Sequence, residues 1–350
     1  MRRVRVGFLT PSLYWGGAER WMLDLARHSR RDLDWVGCAV MHPINNDETM
    51  VGLFGELMPV RCYGMEAARR VAAEADVVLS WGDCSAVGQL GVPIVWVGHG
   101  VGLFDRAAIR DASRWATHFA CVSEAGRDIF EGYVPAELVT VMHNGIDPSR
   151  CEPTETRAQT RASLGLSDEF LVGYLGRMVP EKAPIRITEA VATLPAWCRA
   201  CFVGGGWDLG RQRATIAHVL GHRAVHVDRT ERIGDYLRAF DCFCLASPAE
   251  GFSMGMLEAM WCGVPCVLTR VGVLPELERR HGRHRWVSLD PRCSREELAD
   301  AIRSVADLGP SGRAAMARSA RKIVESRYLA GHMAARWVSY LTKVASLTLA

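Results

Sequence analysis

Lysine is almost missing from this 350-residue chain. Only Lys182, Lys322 and Lys343 stand among its 42 basic residues; the other 39 are arginine. The skew reflects composition rather than function, but it makes each lysine worth locating. Net charge is small as well. Against 39 acidic residues the balance is +3, too little by itself to argue for a nucleic-acid or membrane partner. No stretch reaches the roughly 20 uncharged apolar residues of a membrane span. The basic start, Met1-Arg2-Arg3-Val4-Arg5, resembles a secretory leader, but the apolar stretch after it is short and runs into a Gly-rich turn. It reads as the first strand of a cytoplasmic protein. Cys198 and Cys201 form one CxxC with no second pair at zinc spacing, so the twelve cysteines read as reduced, buried thiols. The lone Asp32-Leu33-Asp34 opens a strand and reads as solvated charge, not a metal site. A 49% hydrophobic and 23% charged composition excludes a disordered or fibrous chain, and no solenoid-type repeat is present.

What is present is a rhythm. Short apolar runs at 4–9, 33–41, 77–80, 94–97 and 119–123 alternate with amphipathic stretches, the first helix covering 19–27. The rhythm pauses at Asn144-Gly145-Ile146-Asp147-Pro148 and a polar segment, 151–161. It restarts with strands at 170–175, 200–203, 225–227, 242–246 and 265–268, and helices at 185–194, 211–219, 233–239, 254–262, 295–306 and 313–326. This predicts an α/β protein of two doubly wound domains facing each other across a cleft, 1–148 and 149–326, with ligands at the carboxyl ends of the strands. The tail, 327–345, places Tyr328, Met333, Trp337 and Leu341 near one helical face. It is expected to seal a core and to pack back on the first domain.

Three clusters could carry chemistry. After the first strand, Gly16 and Gly17 precede a helix with Glu19 and Arg20. Two glycines allow close backbone approach and a helix start offers free N–H groups, which suits a phosphate, although an ordinary turn has the same composition. After the strand at 170–175, Arg177 and Lys182 would emerge at the carboxyl end, where two cations could neutralise a diphosphate and stabilise it as a leaving group; solvated loop charge is the alternative. The third is the most informative. Glu250, Gly251, Phe252 and Ser253 lead into a helix bearing Gly255, Met256, Leu257 and Glu258. Glu250 could accept hydrogen bonds from sugar hydroxyls, Glu258 could take a ribose, and the N–H groups of Gly255, Met256 and Leu257 could hold the phosphate between them.

This last segment resembles the Glu-x7-Glu motif of retaining GT-B glycosyltransferases of the family 4 (group 1) type. Gly-Gly-Ala-Glu-Arg (16–20), Asn-Gly-Ile-Asp (144–147), Gly-Arg…Glu-Lys (176–182) and Glu-Gly-Phe…Leu-Glu-Ala-Met…Gly-Val-Pro (250–265) occur in the family's order over nearly the whole chain. The resemblance implies a GT-B architecture and a metal-independent hexosyl transfer with retention, from a nucleotide-sugar, UDP-linked rather than GDP-linked, to an acceptor hydroxyl. It needs no cofactor. By the same resemblance Arg177 and Lys182 bind the diphosphate, with Gly16 and Gly17 approaching it from the first domain. Glu250, with Phe252 and Ser253, contacts the sugar, Glu258 the ribose, and Gly204-Gly205-Gly206 a loop near the nucleotide. His99 matches a histidine near the transferred sugar. At Lys182-Ala183-Pro184 the chain departs from the family's usual Lys-Gly, which bears on local loop shape.

His218, His222 and His226 are spaced by four, but Gly221 interrupts them, which argues against a shared metal. The run 279–285 packs four arginines and two histidines into seven residues; it reads as a solvated loop, with a polyanionic acceptor such as nucleic acid or acidic lipid as the sharper alternative. The acceptor stays open among a small molecule, a glycan, a lipid-linked sugar and a hydroxylated DNA base, as does the oligomeric state. A nucleotide-sugar epimerase of the same fold and a non-catalytic nucleotide-sugar binder are the competing functions.

Overall fold

The computed structural model describes residues 2–44, 46–84 and 90–347, with backbone alone at Leu103 and Phe104. The chain divides into two units, Met1–Ile146 with Leu329–Ala350, and Asp147–Tyr328. The sequence placed these divisions after 148 and after 326.

The first unit is a seven-stranded parallel sheet. Its elements run β1 (Val4–Thr10), α1 (Gly17–Ser29), β2 (Leu33–Val40), α2 (Glu48–Gly55), β3 (Val60–Cys62), α3 (Gly64–Glu74), β4 (Val77–Trp81), β5 (Ile94–Gly98), α4 (Leu103–Ala112), β6 (His118–Cys121) and β7 (Val139–Val141). The strand order is β3-β2-β1-β4-β5-β6-β7. The chain steps from β1 outward to β3, then crosses back to β4 on the other side of β1. Parallel strands need crossovers, and crossover helices cover both faces, so the central strands are buried apolar runs without polar alternation. Phe8, Leu9, Val78, Leu79, Val95 and Trp96 are all at most 1% exposed. The carboxyl-terminal helix, Ala330–Leu347, belongs to this unit. Leu329 forms a parallel bridge with Ile146, and Ala330 N–H donates to the Ile146 carbonyl at 2.7 Å. Met333, Trp337 and Leu341 are fully buried, with Trp337 edge-on to Trp21 at 5.4 Å.

The second unit contains α5 (Arg157–Ser163), β8 (Phe170–Leu175), α6 (Pro184–Thr193), β9 (Cys198–Val203), α7 (Leu209–Leu220), β10 (Ala224–Val227), α8 (Ile233–Ala239), β11 (Cys242–Leu245), α9 (Met254–Trp261), β12 (Cys266–Thr269), α10 (Leu274–His281), β13 (Val287–Leu289), α11 (Arg295–Asp307) and α12 (Gly309–Arg327). Its six parallel strands are ordered β10-β9-β8-β11-β12-β13. β8 again sits centrally, with the direction of winding reversing between β8 and β11. Both units are therefore doubly wound α/β folds, as the alternation of runs predicted. Cysteine serves as a small apolar side chain in this core: Cys198, Cys201, Cys242, Cys244 and Cys266 are at most 1% exposed, and all are free thiols. Burial pushes the Cys198 and Cys201 thiols up to about 12, so the CxxC is packing.

Candidate functional site

A doubly wound sheet opens a crevice where its winding reverses, at the carboxyl ends of the two strands involved. In the second unit those strands are β8 and β11, paired through Val172 with Cys242 and Gly173 with Phe243. The loops that leave them carry Arg177, Lys182 and Glu250.

The loop after β8 is pinned on both sides. Gly176 N–H donates to the Val203 carbonyl at 3.1 Å and Met178 N–H to the Gly205 carbonyl at 2.7 Å. Closeness here demands glycine: a Cβ on Gly204, whose φ is 144°, would sit 2.0 Å from the Gly176 carbonyl oxygen. Tyr174 Oη donates to the Arg177 carbonyl at 2.7 Å. Burial, then the nearby Glu250 carboxylate, hold that phenol well above its ordinary range, so it stays a neutral donor. Arg177 itself is exposed, and its guanidinium has no hydrogen bond or ion pair among the described residues. A single 3-10 turn, Pro180–Lys182, then brings Lys182 to the loop that leaves β11. Ala183 follows in the left-handed region at φ 48°, which turns the chain into α6.

Lys182 Nζ is ion-paired with Glu250 Oε2. The Glu250 side chain is 6% exposed and that of Lys182 24%, so the carboxylate is held inside and the ammonium lies at the rim. The Glu250 loop is fastened from below. Thr269 Oγ1 donates to the Ser247 carbonyl at 2.7 Å, and Arg186 donates to the carbonyls of Ala246 (2.6 Å), Pro291 (2.8 Å) and Cys293 (2.7 Å). Charge-assisted bonds of this kind hold a loop's shape better than neutral ones.

Ser253 caps α9 in a left-handed conformation, φ 84° and ψ 74°, with its hydroxyl buried and unpartnered. A serine there is costly unless the surroundings enforce it, and such strain collects at working sites. The helix begins at Met254 behind a left-handed cap, and among the described residues the N–H groups of Met254, Gly255, Met256 and Leu257 have no backbone acceptor. The expected N–H donors of Gly255, Met256 and Leu257 are among these four. A Cβ on Gly255 would lie 2.9 Å from the Leu175 carbonyl, so the helix start abuts the end of β8. The Phe252 side chain differs from the expectation. Its ring is 3% exposed and packs on Tyr328 at 6.2 Å, so it shapes the loop from inside the core and offers no ring face to a sugar.

Glu258 is 6% exposed, and its Oε1 accepts from Arg150 Nη1 at 2.8 Å. Arg150, on the 3-10 turn Pro148–Cys151, is a site residue that sequence reasoning passed over. Arg186 and Tyr174 were missed as well.

In the first unit, Gly16 caps α1 and Gly17 is its first residue. A Cβ on Gly16 would come 2.6 Å from Glu19 Oε2, whereas Gly17 faces open space. The Glu19 carboxylate, on a residue 3% exposed, thus already lies against the positive helix start. His99 follows β5. Its ring stands edge-on to Trp21 (4.5 Å) and Trp81 (6.0 Å), and its Nε2 is buried without a partner. Burial drops its pKa to about 3, so the imidazole is neutral at working pH.

The remaining clusters are structural. His218 lies on α7, His222 on the turn after it and His226 on β10, and no group able to hold a metal occurs among the described residues. Asp34 pairs with Arg3 at 2.6 Å. In the arginine run, Arg283 reaches Glu278 at 3.3 Å and Arg285 Nε donates to the His281 carbonyl, while Arg279 and Arg280 are exposed at the end of α10.

Comparison with known proteins covers both units. Residues 15–150 match the model described as Glycosyltransferase Family 4, and 156–323 that of Glycosyl transferases group 1. TuaC of Bacillus subtilis, named a teichuronic acid biosynthesis glycosyltransferase, is 34% identical over 165 residues, 47% of this chain and 40% of that protein. A D-inositol 3-phosphate glycosyltransferase of Mycobacteroides abscessus is 33% identical over 175 residues, 47% of this chain and 38% of that protein. These matches span less than half of either relative's length. HepE of Anabaena, solved with UDP and glucose, superposes with a TM-score of 0.83 at 22% identity, covering 97% of this chain and all of HepE. With one unit matched by each model and the whole fold by HepE, the chain belongs to the family 4 type of GT-B glycosyltransferases.

Proposed function

We propose that this protein is a retaining, metal-independent hexosyltransferase that uses a UDP-sugar and an acceptor hydroxyl. The observation that carries the reading is the placement of Lys182, paired with a buried Glu250, and of unpaired Arg177 on loops leaving β8 and β11, beside the open start of α9. Two cations and the unpaired backbone N–H groups at the start of α9 make an anion site of the kind a diphosphate fills. Lys182 has three N–H donors, so it can keep Glu250 while taking a phosphate oxygen. As the anomeric C–O bond breaks, charge grows on the leaving phosphate, where preorganised donors contribute most. Glu250 accepts a sugar hydroxyl, and Glu258, oriented by Arg150, accepts from the ribose. The acceptor oxygen attacks from the face the diphosphate leaves, its proton passing to the departing phosphate oxygen; this course is the one the family resemblance implies. The names of the aligned relatives support transfer, and the UDP and glucose in HepE support the donor chosen.

The test is turnover of UDP-hexoses with excess chelator against an acceptor panel of polyols, glycans, lipid-linked sugars and hydroxylated DNA. Acceptor-dependent UDP release is expected, with Lys182→Ala and Glu250→Ala each slower by about 100-fold or more while still folded. Wild-type rates in both variants overturn the site assignment. Isomerisation of free donor turns the reading to an epimerase, and activity that returns only with magnesium removes the metal-free mechanism.

A further inference from the structure

Past β9 the chain makes a tight excursion before α7 begins. Gly206, at φ 156°, lies so close to the loop after β8 that a Cβ there would be 2.9 Å from Val179 Cγ1 and 3.0 Å from the Met178 carbonyl. On the other side, Gly204 N–H donates to the carbonyl of Val227, the last residue of β10, at 3.0 Å, and a Cβ on Gly205 would meet Arg229 Cβ at 3.7 Å. This excursion is therefore held between the loop that bears Arg177 and Lys182 and the loop that leaves β10. The residue it carries next is Trp207.

Trp207 is 67% exposed. Trp21, Trp96, Trp286 and Trp337 are all at most 3% exposed. Among the described residues no ring contact or side-chain hydrogen bond accounts for this exposed tryptophan, one residue beyond a glycine that packs on the loop after β8. A broad exposed aromatic side chain, one residue beyond a glycine packed on the loop that bears Arg177 and Lys182, suits a ligand that is flat at one end and anionic at the other. A nucleoside diphosphate has that form, its base one ribose beyond its phosphates. On the donor reading above, we infer that Trp207 is the platform on which the nucleobase of the donor stacks. Every base has a π face, so stacking raises affinity for nucleoside diphosphates over bare pyrophosphate without selecting uracil from guanine.

Calorimetric titration of the full chain with UDP, GDP and inorganic pyrophosphate tests this, using wild type, Trp207→Ala and Trp207→Phe. Trp207→Ala is expected to weaken UDP and GDP alike by about tenfold and to leave pyrophosphate unchanged, while Trp207→Phe restores most of the loss. The exposed ring leaves thermal unfolding unaltered. Equal UDP affinity in wild type and Trp207→Ala overturns the stacking role while leaving the donor reading in place, and turns Trp207 toward a partner protein. Pyrophosphate binding weakened to the same degree as UDP also overturns it, since the loop rather than the base contact has then failed. A wild type that binds neither nucleotide overturns the donor reading and the platform together.

Discussion

At the scale of single residues, His99 links burial to pH most directly. Its pKa falls from 6.5 to about 3 because the ring is taken out of water between Trp21 and Trp81 with no charge nearby to compensate. The folded state keeps this imidazole neutral, while the unfolded chain protonates it near 6.5. Below 6.5 the unfolded state thus binds one proton more, and stability is lost as pH falls from about 6.5 toward 3, by at most about 1.4 kcal/mol per pH unit. His99→Asn is expected to flatten that limb. The check is the difference between wild-type and variant unfolding free energies from denaturant titrations at pH 7, 5.5 and 4.5; parallel curves would show that His99 does not set the acid limb. The residue scale also shows where sequence reading ends. Glu250 and Glu258 were legible because they share one short motif. Arg150 was not, since its meaning depends on Glu258, 108 positions away in the chain. Arg186, in a sequence where arginine is everywhere, carries no local mark of the three carbonyls it gathers.

At the scale of elements, long buried strands were legible, because parallel strands covered on both faces read as continuous apolar runs, and so were the crossover helices of the second unit except α10, whose end, Arg279 to His281, reads in the sequence as part of a solvated loop. The edge strands β3, β7 and β13 were not. Each has only three residues, with no run to detect. Nor could the sequence reveal that Ser253 and Ala183 take positive φ, since both are residues that rarely do. Ala183 is the sharper case. It occupies φ 48°, ψ 47° directly before Pro184, at the position where glycine was the expected family residue. Its Cβ crowds the following carbonyl there, a cost of roughly 1–2 kcal/mol, offset in part by the smaller entropy an alanine loses on folding. Ala183→Gly is therefore expected to stabilise the second unit by about 1 kcal/mol, a rise of about 2–4 °C in its thermal midpoint. The loop's path already suits glycine, so turnover should stay near wild type. A lower midpoint by scanning calorimetry would mean that the left-handed turn is not under strain.

At the scale of the whole molecule, the chain completes its first unit last. Residues 1–146 build the seven strands, but part of their cover comes from the carboxyl-terminal helix, after the second unit has been made. That helix brings Met333, Trp337, Leu341 and Val344, each at most 2% exposed. At roughly 1.5–3 kcal/mol for each large buried side chain, their removal forfeits roughly 6–12 kcal/mol, before counting the newly bared face of Trp21. A domain holds only about 5–15 kcal/mol of net stability, so the first unit without its last helix falls to the edge of unfolding. The second unit runs unbroken from Asp147 to Tyr328 with its own core and keeps all its residues after the cut. A chain ending at Tyr328 is accordingly expected to keep a protease-resistant core of about the second unit's size while the first unit is digested. The converse construction follows from local geometry. Ile146 pairs with Leu329, and its carbonyl accepts from Ala330 N–H at 2.7 Å, so a short Gly-Ser linker from 146 to 329 closes the first unit without strain. That spliced chain should unfold cooperatively on its own. If the truncated chain instead protects both units equally from protease, the terminal helix is an ornament on the first unit, and the burial of Trp337 contributes far less than its area implies.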